Sequence, residues 1–284
     1  MMKRTVLIAL FFALNAYVLS AKITVLDTTV IRFRYEVKTV SDTLNPTDIR
    51  NELFLLQIGK NVSRYSDYKW FVVDSASAAI AKEINVDLYN IDFNGANELN
   101  LKMSEKGYPM FGTSYINIFI YTSEKKLVYI DKCAFDRYSY EETVEVPDWK
   151  LFNDTATVCG YLCRKATARF RGRDYEAWFA PDIPISLGPW KFMGLPGIIL
   201  KIADSREHHQ FECVAIEQPD WIDVIYKRNN MKIKTDRLTF NKKRKQHSNN
   251  PKAYLEGHPL APESYKSPQS TPVKSIPYNP IELE

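Results

Sequence analysis

Past residue 21, the 284-residue chain contains no apolar run long enough to cross a membrane as a helix. No cysteine stands directly after the N-terminal apolar run, which argues against a lipoprotein anchor. Histidine is scarce: of the four, His247 and His258 fall in a tail where a rigid site is hard to build. There is no Gly-x-Ser-x-Gly elbow, His-Glu-x-x-His pair, phosphate-cradling glycine loop or dinucleotide fingerprint. Any catalytic site would therefore have to be assembled from dispersed residues. The net charge of +4 falls to +2 once Lys3 and Arg4 are set aside with the N-terminal segment, too small a surplus to imply a nucleic-acid partner. A strand–helix–strand rhythm is also missing, which excludes a doubly wound parallel sheet, and no internal repeat occurs.

The N-terminal segment, 1–21, reads as a cleavable signal peptide. A basic "MMKR" precedes an apolar core too short to span comfortably, and small residues follow. The expected location is the periplasm or cell surface, with no transmembrane segment after cleavage. Four cysteines, Cys133, Cys159, Cys163 and Cys213, in an oxidising compartment suggest one or two disulfides of open pairing. Within one extended strand, residues i and i+4 lie about 13 Å apart, so a Cys159–Cys163 bond needs a bend at Gly160.

What is abundant is aromatic: 13 % of residues, suited to strands. In "VIRFRYEVKT", Ile31, Phe33, Tyr35 and Val37 alternate with charged residues, as in a half-buried antiparallel strand. "NELFLLQIG" follows as a second strand, after a turn region at 41–48. Hairpins are predicted around 123–126, Arg171-Gly172-Arg173 and 204–206. "SASAAIAKEINVDLYN" reads as a helix capped by Ser75 or Ser77, and 94–113 as loop. The expected fold is mainly β, α+β: a curved antiparallel sheet or incomplete barrel with one or a few helices. It would form a single domain, 22–240, followed by an extended Pro/Lys-rich arm, 241–284. Nine Lys/Arg against Asp236 between 227 and 245 suit a lysine-guarded strand edge and linker, or a surface for an anionic partner.

The most pointed stretch is "GPWKFMGLPGIIL", 188–200. Gly188, Pro189, Gly194, Pro196 and Gly197 suit a chain reversal, with Leu195 to Ile198 as a type II turn that places Gly197 at positive φ. Around it Trp178, Phe179, Trp190, Phe192, Met193 and Leu195 are candidates for an apolar groove, or for core. Asp174, Glu176, Asp182 and His209 are the candidates for a dispersed hydrolytic site, although adjacent Arg residues favour plain cross-strand pairing of the acids. "HHQFEC" is a weak metal motif, and neither metal nor cofactor is expected.

At these residues the chain resembles the GLPGLI family of exported bacterial proteins. The hallmark stands here as Gly194-Leu195-Pro196-Gly197-Ile198-Ile199, with Ile198 replacing the motif's leucine, inside a closer likeness over 160–204. The resemblance implies Gram-negative export and supplies no catalytic residues. A more distant likeness is to periplasmic lipoprotein carriers, whose incomplete barrel encloses an apolar cavity. The expectation is a non-enzymatic envelope protein binding a hydrophobic small molecule or lipid, or an envelope or outer-membrane protein. The alternatives are an envelope hydrolase and an accessory of an outer-membrane transport system.

Overall fold

The computed structural model describes residues 23–88, 90–219, 223–261 and 275–283; the 1–21 segment read as a signal peptide lies outside them. The chain opens with β1 (Ile23–Thr28), β2 (Ile31–Asp42), β3 (Asn45–Ile58) and β4 (Val62–Asp67). Two helices follow, α1 (Tyr68–Glu83) and α2 (Phe93–Glu105). Next come β5 (Asn117–Tyr121), β6 (Lys126–Cys133), β7 (Asp136–Thr143), β8 (Lys150–Val158), β9 (Tyr161–Phe170) and β10 (Arg173–Ala180). The 188–200 stretch then leads into β11 (Ile198–Asp204) and β12 (His209–Glu217). The described chain ends through β13 (Val224–Arg228), β14 (Ile233–Lys234), α3 (Arg237–Asn249), α4 (Pro251–Leu255) and an irregular C-terminal segment.

Among the described residues, twelve strands form one sheet in the order β14-β7-β6-β5-β4-β3-β2-β12-β11-β10-β9-β8. Every neighbouring pair is antiparallel except β14 with β7. The sheet does not close into a barrel, and the fold is the mainly β, α+β class expected. Alternation sets the faces. Phe33, Tyr35, Phe54, Tyr65, Ile118 and Tyr129 turn to the main core face. Val62, Phe119, Val128 and Ile130 turn to the opposite face, where a ribbon of β1 and β13 covers them and buries Ile225.

The hairpin at Arg171-Gly172 is present; both residues have positive φ, 49° and 81°, as a two-residue loop of primed type demands. The 41–48 turn region is instead mostly strand, β2 and β3 being joined at Thr43-Leu44. Helix α1 starts well before Ser75, because Asp67 caps it by accepting from Trp70 N at 2.9 Å. Where 94–113 reads as loop, 93–105 is helix α2. Asp92 caps it, Ala96 is buried, and Leu99 and Met103 pack against Val73, Ala76 and Ile80 of α1. Its polar composition masks that narrow stripe.

The basic stretch is not a simple strand edge. Asp236 caps α3 through Thr239 N at 2.9 Å, and Phe240 is buried against Tyr129, Tyr138 and Tyr140. The 240/241 boundary therefore falls inside a helix. The C-terminal segment returns to the body, with Ile276 N bonded to Ser248 O and Leu283 N to Arg171 O.

All four cysteines are free, which corrects the disulfide expectation. The chain does bend at Gly160, but as a two-residue hairpin loop, Cys159-Gly160, that sets Cys163 opposite Ala156 rather than Cys159. Cys133, Cys163 and Cys213 are packed into the core as small apolar groups. Burial, then the neighbouring Cys159 thiol, pushes the Cys213 thiol well above its usual range.

Candidate functional site

The 188–200 stretch is a tight loop folded back onto β11. Leu187 bridges Met193, Gly194 N reaches Ser186 O, and Ile199 N reaches Leu187 O. Positive φ falls at Trp190 (55°) and Gly194 (97°), not at Gly197, which corrects the type II assignment. Gly197 is required for a different reason: a Cβ there would lie 2.2 Å from the Ala180 carbonyl oxygen. Gly188 is similarly crowded, by Ile199 at 2.9 Å. The loop thus drives its side chains inward. Phe192 packs on Tyr175 (4.7 Å between ring centroids), Trp190 (5.0 Å) and Phe211 (5.9 Å).

The same loop inserts a lysine. Lys191 is 2 % exposed, and its Nζ donates to Glu282 (2.6 Å), Glu142 (2.7 Å) and Tyr140 Oη (3.0 Å). The rings of Tyr129, Tyr140 and Trp190 surround it at 5.2–5.4 Å. Burial alone would raise the Glu282 pKa, but Lys191 and Asn241 outweigh it and hold that carboxyl below its usual range. One lysine therefore ties the loop to β7 and to the C-terminal segment.

Of the candidate groove residues, Phe179, Phe192, Met193 and Leu195 are core, each at most 6 % exposed. Trp178 is half-buried, with Nε1 donating to Glu176 and Lys165 over its ring. Trp190 alone of the six also borders a cleft of about 450 Å³ on the core face. Around the cleft stand Thr39, Glu52, Tyr65, His209 and Arg244, with the C-terminal segment 277–281 along one side. Arg173 holds that segment by donating to Asn279 Oδ1 (2.8 Å) and Pro280 O (2.6 Å) while paired with Asp204 at 2.7 Å. Asp67 fixes the facing segment, accepting from Thr113 N (3.0 Å) and Ser114 N (2.9 Å).

Two polar atoms of this lining, Tyr65 Oη and His209 Nε2, are buried without a well-formed hydrogen bond, with the Pro280 backbone beside the imidazole. Native structures rarely leave such atoms unmet, and each lost bond costs about 1–3 kcal/mol. Burial shifts the titrating groups here. It raises the Glu52 carboxyl, partly against Arg50, and raises Asp131, partly against Arg244 at 3.7 Å. It lowers His209 to about 4, with Arg173 adding to the effect. His209 thus resists protonation when folded but takes a proton near pH 6.5 when unfolded. The stability this contributes is fully present above pH 6.5 and is lost as pH falls toward 4. Between pH 7 and 4.5 the native protein is expected to lose about 2–3 kcal/mol more than His209→Gln, measured by urea unfolding at both pH values.

The acids suggested for a hydrolytic site do not join His209. Asp174 is exposed and pairs with Arg169, Glu176 pairs with Lys165 at 2.7 Å, and Asp182 is exposed on the turn after β10. Among the described residues, no three His, Cys, Asp or Glu side chains are grouped to hold a metal.

Residues 171–201 match the family described as "Protein of unknown function (Porph_ging)". The matched segment runs from the Arg171-Gly172 turn through β10 and the Lys191 loop into β11, the frame on which Trp190 is mounted. No curated protein matches the chain. Among solved structures, it is similar to PNGF-II in two crystal forms, C2 and P21. The identities are 11 % and 12 % and the TM-scores 0.45 and 0.44. Both comparisons cover 76 % of this chain but 32 % and 33 % of PNGF-II, so the chain spans about a third of that protein's length.

Trp190 was legible as an aromatic beside a Gly/Pro bend. Glu52, Tyr65 and Asp131 were not, since each lies in an ordinary-looking strand. Only pairing brings them near His209, itself opposite Thr39 in the β12–β2 register.

Proposed function

We propose that the protein is an exported cell-envelope protein that binds a small amphipathic molecule in the core-face cleft without transforming it. The observation that carries this reading is the pair of unmet polar atoms, Tyr65 Oη and His209 Nε2, on a cleft of about 450 Å³. That volume suits a small-molecule site. Phe54, Tyr129, Trp190 and Phe211 supply flat apolar walls, and Arg50, Glu52 and Arg244 supply charge at the edges. The reading departs from a lipid carrier, because the lining mixes aromatic with polar groups. Export through the 1–21 segment, to the periplasm or cell surface, and membership of the GLPGLI group belong to the same proposal and rest on the N-terminal pattern and the Gly194 to Ile199 motif.

The test is a blocking substitution. Thr39 lies half-buried on β2, beside His209, and faces the cleft. In Thr39→Trp the indole is expected to fill the space. Anilinonaphthalene sulfonate, an aromatic anion of suitable size, should bind the native protein at one site with energy transfer from tryptophan. Binding should weaken more than tenfold in Thr39→Trp with no loss of melting temperature. Equal binding to both proteins would contradict the proposal.

A further inference from the structure

A second cleft lies mainly on the opposite face of the sheet, where β4, β5 and β6 meet α1 and β13. The two clefts share residues only beside the start of β5, at Tyr115 and Asp131. This one is small, about 70 Å³. That is several times the ~10–15 Å³ that one water needs, but far below the ~300 Å³ of a drug-sized site. Its lining is strongly cationic: Arg64, Arg137, Lys227, Arg228 and Lys232 stand against two carboxylates, Asp74 and Asp131. Both acids are already engaged. Asp74 accepts from Tyr226 Oη and pairs with Arg228, and Asp131 faces Arg244.

Arg64 is the centre of the site. It is 5 % exposed, on β4. Its Nε donates to Asn117 Oδ1 at 3.0 Å, and its guanidinium lies 4.6 Å from the Tyr226 ring centroid. Its Nη1 is buried and has no acceptor. An orphaned donor on a permanent buried cation is costly unless an acceptor arrives. Across the cleft, Asn230 Oδ1 is buried without a donor, so a half-turn of that amide would present its NH₂ as another donor. Lys232 donates to the Arg228 and Asn230 carbonyls at 2.7 and 3.0 Å. Burial, then Lys227 and Arg137, lowers its pKa to about 8. These groups come from β4, β7, β13 and the strand-to-strand link after it, so the fold itself assembles the charge.

We propose that this cleft binds a compact tetrahedral oxyanion, a phosphate or sulfate group, held by Arg64 and Lys232. A bound anion offsets both the burial and the Lys227 and Arg137 charges that depress Lys232, so that lysine takes up a proton when the anion enters above pH 8. Affinity accordingly falls as pH rises through about 8.

Calorimetry on the full chain in phosphate- and sulfate-free buffer tests this, with inorganic phosphate, sulfate and phenyl phosphate as the probes. Saturable binding is expected, lost in Arg64→Gln and weakened about tenfold in Lys232→Gln, in line with one charge-assisted bond. Proton uptake at pH 8.5 should occur in the native protein and be absent in Lys232→Gln. Tighter binding of phenyl phosphate than of inorganic phosphate would support a phosphate monoester as the occupant; equal binding would support the free anion. Thr39→Trp should leave all of this unchanged, which separates the two clefts. Should Arg64→Gln fail to fold, Lys232→Gln decides, since its lysine lies in a link rather than in a strand of the main sheet. No saturable binding of any probe, or undiminished binding and proton uptake in Lys232→Gln, would overturn the proposal.

Discussion

Lys191→Met is expected to destabilise the protein by about 3 kcal/mol at pH 7, read from urea unfolding followed by tryptophan fluorescence. The size follows from what remains. Glu142 and Glu282 stay enclosed, with side chains 17 % and 6 % exposed, after the ammonium that bonds both has gone. Removing one partner of a buried pair costs about 3–5 kcal/mol because the other charge is stranded. The lower end applies because Arg237 lies 3.5 Å from both carboxylates. The pH dependence separates this cause from lost packing. In the native protein the Glu282 pKa lies below its ordinary 4.5, so its contribution is present above pH 4.5 and is lost as pH falls below it. Without Lys191 most of that contribution is lost, Asn241 and Arg171 remaining to lower the carboxyl. The gap between native and variant should therefore be widest at neutral pH and narrow below about pH 4.5. A gap independent of pH would mean that the methylene stem, not the charge, matters.

Gly197→Ala is expected to be at least as damaging, about 3 kcal/mol or more, or to yield no folded protein. Its Cβ would meet two backbone atoms, the Ala180 oxygen at 2.2 Å and carbon at 2.6 Å. No rotamer change relieves a clash with backbone, so β10 and β11 would have to part where the loop closes. Gly107→Ala is the control. It also lacks a Cβ today, but nothing lies within 4 Å, and its φ of 71° alone is strained for alanine. That strain costs about 1–2 kcal/mol. Thermal melts of the two variants side by side should show the larger loss at Gly197. Equal losses would mean that close backbone approach is not what the second glycine of the motif provides.

These two residues also mark what could be read from the chain and what could not. Strand β2 and the turns at Arg171-Gly172 and near Asp204 were visible because alternation and turn chemistry are local signals. Helix α2 was hidden because Ala96, Leu99 and Met103 form a stripe too narrow to stand out among polar neighbours. Helix α3 was hidden because a run of lysines and arginines surrounds the one buried ring, Phe240. The burial of Lys191 was beyond reach, since lysine is almost never enclosed without partners. Its partners, Glu142 and Glu282, lie 49 and 91 residues away. The motif glycines were readable as a bend, yet the reason for Gly197 is a contact with Ala180 that no turn rule contains. The cleft followed the same logic. Trp190 and His209 could be singled out from the chain, while Tyr65 acquires meaning only once the strands are paired.

The central claim is that the core-face cleft is a ligand site. Native mass spectrometry of the protein isolated from its own cells, beside Thr39→Trp prepared identically, tests it most directly. The account predicts one small-molecule adduct per native chain, released on denaturation and absent from Thr39→Trp. A bare polypeptide mass in both, or the same adduct in both, would contradict it.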